Sequence, residues 1–195
     1  AKLLDRLALD DEQFERFAER LFARVPAREF SEADLQHALA YPWQRPVGSF
    51  QLVDGSARPI SAAPSEVLEA IDADRRFPLL AYGSNASPEA LGRKFADLTP
   101  GSRDAIVVRG VLQNFDVGAS AHAAYYGAMP ATIFASPGTQ LECAVAWVTE
   151  QQLTAIAWSE VNYHFGALSG AHFRADIDAQ PVDRLFAFVS RRGAY

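Results

Sequence analysis

The stretch from residue 77 to residue 88, which reads FPLLAYGSNASP, carries three local signals in a row. Its first half is a short apolar run, typical of a buried strand, and this run ends at Gly83. Ser87 followed by Pro88 is a strong helix start, with serine as the cap and proline in the first turn. The stretch therefore predicts a strand, a tight turn at residues 82–85, and a helix.

Beyond this stretch the sequence contains more strands than helices. Thr149 with Gln152 forms a capping box for a helix that we expect from Glu150 to about Glu160. The Ser-Pro-Gly-Thr segment at residues 136–139 predicts a hairpin turn between two strands. Because strands and helices do not alternate regularly, we expect an α+β fold with a small mixed, barrel-like sheet and flanking helices. The expected strands are Ile106–Leu112, Ala131–Phe134, Leu141–Val148, Ala171–Ile177 and Leu185–Ser190.

The part of the chain before residue 77 has a different character, since it is dense in acidic and basic residues. We expect residues 1–76 to form a mainly helical N-terminal extension, followed by one domain over residues 77–195. Apolar residues at helical spacing predict its helices, and an Asp-Gly pair predicts a short hairpin. The expected elements are a helix over Asp11–Val25, a helix that begins after a Ser31–Asp34 cap, a helix that begins at Pro64, and a hairpin over Phe50–Ile60.

Composition excludes several classes of function. The net charge is −6 and no basic stripe is present, which argues against binding to nucleic acid. No apolar run approaches the roughly 18 residues of a membrane helix, and no secretory signal pattern opens the sequence. Cys143 is the single cysteine and lies in an apolar run, so we expect a buried small side chain and not a nucleophile. We expect a cytoplasmic protein, and the sequence leaves its oligomeric state open.

The predicted helix after Thr149 ends in a carboxylate that stands out. Leu153, Ile156 and Ala157 have the spacing of a buried helix face, and Glu160 continues that face. Residues 151–173 contain no other charged residue. Burial and the negative end of the helix dipole both disfavour the ionised form of this carboxyl group, which suits a proton shuttle. The alternative is that the helix ends early and leaves Glu160 in solvent or paired with Arg174.

The turn over Tyr82, Gly83, Ser84 and Asn85 is the second candidate feature. Successive amide N–H groups in such a turn can point into one cavity and bind a carboxylate or an oxyanion. On physical grounds alone, however, a Gly-Ser-Asn segment before a helix is usually only a turn. The nucleotide-binding glycine patterns are absent.

Taken together, these segments resemble the gamma-glutamyl cyclotransferase-like family. The YGSN strand-turn is similar to the family signature, and the helix ending at Glu160 is similar to the family's catalytic helix. Other segments follow in the family's order over about residues 77–190. These are Val108–Phe115, Met129–Phe134 with Pro137 and Gly138, Leu141–Val148, and Leu153–Glu160.

The resemblance implies a function and a set of site residues. It implies a cofactor-independent enzyme that cyclises a gamma-glutamyl group to 5-oxoproline and releases an amine or amino acid. Glu160 would be the catalytic proton shuttle, and residues 82–85 would bind the substrate. The family has Glu-Gly and then an aromatic residue at this point, whereas here Val161 follows the glutamate. Tyr163 is then the implied pocket aromatic residue.

Two other readings stay open from the sequence. One is a related amide-cleaving acyl-transfer enzyme of a biosynthetic pathway, and the other is a non-catalytic binding module on the same fold. No metal site is expected, because His122 and His164 are too scattered and fit structural roles better. Tyr125 and Tyr126 could line the pocket, although we favour packing.

Overall fold

In the computed structural model, the described residues are 29–60, 76–177 and 182–195, with the single positions 12, 13, 15, 16, 19 and 69. The predicted helix from Pro64 falls outside this part of the chain except at position 69, which is helical. The predicted helix over Asp11–Val25 also lies largely outside it, although the described positions there are helical.

Eight strands and three α-helices have both ends among the described residues. The predicted Ser31–Asp34 cap is confirmed as a capping box at the first of these helices. The helices are α1 (Glu32–Leu39), α2 (Pro88–Lys94) and α3 (Glu150–Ser159). The strands are β1 (Phe50–Val53), β2 (Ser56–Pro59), β3 (Phe77–Ala81), β4 (Ala105–Ala119), β5 (Ala131–Val148), β6 (Tyr163–Ser169), β7 (Phe173–Ala175) and β8 (Arg184–Ser190).

The strands form one mixed sheet in the order β2-β1-β4-β5-β3-β8-β6, and β7 also pairs with β4. Every pairing is antiparallel except that of β3 with β8. The expected α+β class with a mixed sheet is therefore confirmed. Among the described strands the sheet is not closed, because β2 and β6 end the order.

The predicted hairpin around Asp54 and Gly55 is confirmed and forms β1 and β2. Both turn residues have positive φ, 47° and 79°, as expected for a two-residue hairpin turn of the type that Asp-Gly favours. Strand β1 pairs with β4 along Phe50–Leu52. Residues from the predicted extension thus contribute to the same sheet as the chain after residue 77, while the domain boundary at residue 76 stays a prediction.

The predicted hairpin at residues 136–139 is wrong. Residues 131–148 form one strand, β5, which pairs with β4 from end to end. The four residues bulge out opposite Asn114, which adopts φ 65° and accepts a hydrogen bond from the Gly138 N–H at 3.0 Å. The Asn114 side-chain oxygen thus bonds a backbone N–H within the bulge, and the hydrogen-bonded pairing of β4 with β5 continues on both sides of it.

Helix α3 forms as predicted, with the Thr149–Gln152 capping box at its start. Leu153, Ile156 and Ala157 are buried against the sheet, next to Leu91 and Phe95 from the α2 region. Complete burial of a leucine or isoleucine side chain stabilises a fold by about 1.5–3 kcal/mol. This packing fixes the C-terminal end of α3, and with it Glu160, above the sheet.

Two local expectations differ in detail. Ser87 does precede α2, but its side chain makes no capping bond. The strand expected over Ala171–Ile177 is reduced to β7, because residues 170–172 form a 3-10 turn. Strand β6, which begins at Tyr163, was not predicted.

Candidate active site

A cavity of about 670 Å³ opens where the turn after β3 meets the C-terminal end of α3. Its wall also includes residues from the α1 region, from the segment between β4 and β5, and from the start of β5. The structure brings all six residues of the predicted site to this cavity. They are Tyr82, Gly83, Ser84, Asn85, Glu160 and Tyr163.

Glu160 is the C-terminal cap of α3, and its side chain is only 12% exposed. Its carbonyl oxygen accepts the Tyr163 N–H at 3.0 Å, which places the start of β6 directly beside the helix end. The Asn85 side chain donates from Nδ2 to Glu160 Oε1 at 3.2 Å. The carboxylate therefore faces the predicted turn and not bulk solvent.

Lys94 completes a three-residue polar cluster with Asn85 and Glu160. Its Nζ lies 2.9 Å from Glu160 Oε1 and donates to Asn85 Oδ1 at 2.7 Å. The expectation of uncharged surroundings for Glu160 is thus wrong, and its partner is Lys94, not Arg174. The positive charge of the ammonium group lies beside the carboxylate, at the negative end of the helix dipole. Oε2 accepts no hydrogen bond from the described residues.

Tyr82 and Tyr163 are held by their hydroxyl groups. The Tyr82 O–H donates to the carbonyl oxygen of Phe188, and the Tyr163 O–H donates to that of Ala131 at 2.8 Å. Burial raises the pKa of both phenols, and the negative charge of Glu160 raises them further. Both side chains are therefore neutral, fixed walls of the cavity at physiological pH.

Gly83 is required by a close approach and not by an unusual backbone angle. A Cβ at this position would lie 2.8 Å from the hydroxyl oxygen of Tyr41 and 3.3 Å from the Cβ of Ala131. The same Tyr41 oxygen accepts the Ala131 N–H at 2.8 Å. A tyrosine hydroxyl group thus lies directly against the turn that the sequence predicts to bind the substrate.

Aromatic rings from the α1 region line another wall of the cavity. The rings of Trp43 and His37 lie 4.9 Å apart, and Tyr126 packs on Trp43 at 5.4 Å. Arg93 places its guanidinium carbon 4.3 Å from the Trp43 ring centre. Tyr125 and Tyr126 both line the cavity, so for Tyr126 packing and pocket lining coincide.

The other titratable candidates do not form a second centre. His122 lines the cavity, and its Nδ1 lies 2.7 Å from Ser120 Oγ. Burial lowers the pKa of His122, and the charge of Arg192 lowers it further. Across residues 29–60, 76–177 and 182–195, no three His, Cys, Asp or Glu side chains are grouped as metal ligands would be. Cys143 is buried as expected, and burial raises the pKa of its thiol to about 12.

Sequence reasoning missed Lys94, Tyr41 and Trp43. Lys94 had a detectable signal, because it follows the buried Ala90 and Leu91 at the spacing of one helix face. Tyr41 and Trp43 had none, since their approach to the turn depends on long-range packing and on a tryptophan with φ 65°.

Comparison with known proteins gives partial structural likenesses. A gamma-glutamyl cyclotransferase shares 17% identity at a TM-score of 0.47, covering 60% of this chain and 68% of that one. An uncharacterized protein from Homo sapiens shares 21% identity at a TM-score of 0.40, covering 59% and 69%. No family model matches the sequence, and neither does any curated protein.

None of the described helices is both long and apolar enough to cross a membrane.

Proposed function

We propose that this protein is a gamma-glutamyl cyclotransferase-type enzyme, which converts a gamma-glutamyl amide to 5-oxoproline and a free amine. The single observation that carries the proposal is the Glu160 carboxylate. It is buried at the end of α3, open to a cavity, and hydrogen-bonded to Asn85 of the YGSN turn. The family resemblance of the sequence implies a catalytic glutamate at this position and a substrate-binding turn at residues 82–85.

The charge of the cluster supports a role for Glu160 as the initial base. The Lys94 ammonium group lies 2.9 Å from Glu160 Oε1, and Oε2 accepts no hydrogen bond from the described residues. That oxygen is therefore available to a proton on the substrate. Asn85 bonds to both partners and so fixes the position of the carboxylate relative to the turn. A positioned acid/base of this kind contributes a factor of about 10²–10⁴ in rate.

The reaction can be written so that protons balance. Glu160 takes a proton from the α-ammonium group of the substrate, and the freed amine attacks the γ-carbonyl carbon. The new N–C bond closes the lactam ring, and the bond to the leaving amine breaks as Glu160 returns a proton to it. A second proton passes from the ring nitrogen to the released amine by the same route, so Glu160 ends ionised. Because nucleophile and electrophile share one molecule, no cofactor enters these steps.

The cavity also supports a substrate larger than the gamma-glutamyl group alone. Its volume of about 670 Å³ lies in the range of sites for drug-sized ligands. Aromatic side chains at its wall, among them Trp43, Tyr126 and Trp158, would contact the amine portion. The related amide-cleaving reaction considered from the sequence would use the same carboxylate.

The test is to incubate the protein with gamma-glutamyl peptides, gamma-glutamyl amines and glutathione, and to measure 5-oxoproline by mass spectrometry. We expect release by the wild type and a loss of about 10²–10⁴-fold in Glu160→Gln. Glu142→Gln is the matched control, because the Glu142 side chain is 84% exposed and lies outside the cavity wall.

Two results would contradict the proposal. Turnover that is unchanged in Glu160→Gln would remove this residue from the mechanism. Binding of gamma-glutamyl compounds without any 5-oxoproline from the wild type would instead favour a non-catalytic binding module.

A further inference from the structure

The tyrosine hydroxyl groups around the cavity use their protons differently. Tyr82 and Tyr163 each donate to a backbone carbonyl oxygen, that of Phe188 and that of Ala131. Their protons are thereby committed to holding the fold. Neither hydroxyl retains a hydrogen to offer to a ligand.

Tyr41 is bonded in the opposite sense. Its oxygen accepts the Ala131 N–H at 2.8 Å. A phenol group is both a donor and an acceptor, so this bond uses its oxygen as an acceptor and leaves its O–H for another partner. Within the described part of the chain no acceptor bonds this hydrogen, and Tyr41 lines the cavity.

We propose that Tyr41 is a catalytic residue whose O–H donates to the γ-carbonyl oxygen of the substrate and stabilises the oxyanion formed on ring closure. This inference rests on the proposed function, and it deepens that function by assigning the oxyanion donor. It also gives the region before residue 77 a part in the chemistry.

The position of the Tyr41 oxygen is fixed before any ligand arrives. The Ala131 N–H holds it against the turn, and the absence of a side chain at Gly83 leaves room for it. The Trp43 ring packs edge-on against the Tyr41 ring at 5.4 Å. Trp43 is itself held by its Nε1–H, which donates to the His37 carbonyl oxygen at 3.2 Å. Such preorganised donors stabilise developing charge without rearranging during the reaction.

The protonation state fits the same role. Burial raises the pKa of Tyr41, and the negative charge of Glu160 raises it further. The hydroxyl thus keeps its proton at neutral pH. Tyr41 and Glu160 both line the cavity, as an oxyanion donor and a base acting on one substrate require.

Tyr41→Phe deletes the hydroxyl and keeps the ring. We expect kcat on the best gamma-glutamyl substrate to fall by about 10²-fold, the loss typical of removing one oxyanion donor, with KM changed less than about threefold. Tyr195→Phe is the matched control, because Tyr195 is 86% exposed and does not line the cavity. Thermal unfolding of each variant is measured alongside.

The possible results of this experiment test two separate claims, the role of Tyr41 and the proposed function. Unchanged or increased kcat in folded Tyr41→Phe overturns the assignment of Tyr41, and an increase would show that its hydroxyl blocks the turn. No 5-oxoproline from the wild type overturns the proposed function and this inference with it. The two failures can be told apart, because only in the second does the wild type release no 5-oxoproline.

If Tyr41→Phe does not fold, a fluorinated tyrosine at position 41 keeps the ring and the oxygen while making the phenol more acidic. The alkaline fall of kcat/KM should then move to lower pH than in the wild type, because the donor is lost when it ionises. An alkaline limb that does not move overturns the inference.

Discussion

Replacing Lys94 with methionine removes the ammonium group from Glu160 while keeping an unbranched side chain of similar length. The two side chains are only 14% and 12% exposed, and Nζ lies 2.9 Å from Oε1. After the change, the Asn85 amide at 3.2 Å is the one donor that still bonds the carboxylate in the described structure. We therefore expect Lys94→Met to lower the free energy of unfolding.

The size of the loss can be bounded. Removing one partner of a buried ion pair costs about 3–5 kcal/mol when the other charge stays buried. Because Asn85 and some solvent remain, we expect a loss of about 2–3 kcal/mol at pH 7.

Urea denaturation of four proteins measures this loss: wild type, Lys94→Met, Glu160→Gln and the double variant. The double variant should be more stable than Lys94→Met alone, because no charge is then left unpaired. A Lys94→Met variant as stable as the wild type at pH 7, or a double variant no more stable than Lys94→Met, would refute the reasoning.

Two further pairs of variants test the packing around the cavity and under α3. Gly83→Ala should lower the free energy of unfolding by about 1–3 kcal/mol, because the new Cβ would lie 2.8 Å from the Tyr41 hydroxyl oxygen. Gly92→Ala in α2 should instead raise the free energy of unfolding by up to about 1 kcal/mol, since the nearest atom to its new Cβ is a backbone atom 3.6 Å away. Equal effects in thermal unfolding would contradict this contrast. Gln152→Glu should lower the free energy of unfolding by at least about 3 kcal/mol. The fully buried Gln152 amide donates to two carbonyl oxygens, and a carboxylate in its place would leave both of them without a donor. The exposed Gln151→Glu, near the N-terminus of the same helix, should be neutral or slightly stabilising, and a similar loss in both would count against the argument.

Sequence patterns predicted the elements whose causes are local. The Thr149–Gln152 box and the spacing of Leu153 and Ile156 lie within a few residues of each other, so they define α3 without knowledge of the rest. The Asp-Gly pair defines the β1–β2 turn in the same way. Where a side chain acts on a distant part of the chain, local patterns fail. Asn114 turns residues 136–139 into a bulge, and nothing within residues 131–148 indicates it.

The residues of the candidate site show the same difference between local signals and contacts with distant parts of the chain. Glu160 could be predicted, because its helix position and its uncharged sequence neighbours are properties of one segment. Its ion pair with Lys94 joins residues 66 positions apart, and its bond to Asn85 joins residues 75 apart. The lysine occupies the buried face of α2, so helical spacing alone could have placed it inside. The approach of Tyr41 to the turn had no such signal.

The main-chain hydrogen bonds of Ala131 determine which substitutions this position tolerates. Its N–H is held by Tyr41 and its carbonyl oxygen by Tyr163, so two walls of the cavity are joined through the main chain of one residue of β5. The linkage uses main-chain atoms only, and many residue types could stand at this position without breaking it. Proline is the exception, because it has no N–H to give. A comparison of residue types at position 131 would therefore conceal its importance, which the two tyrosines reveal instead.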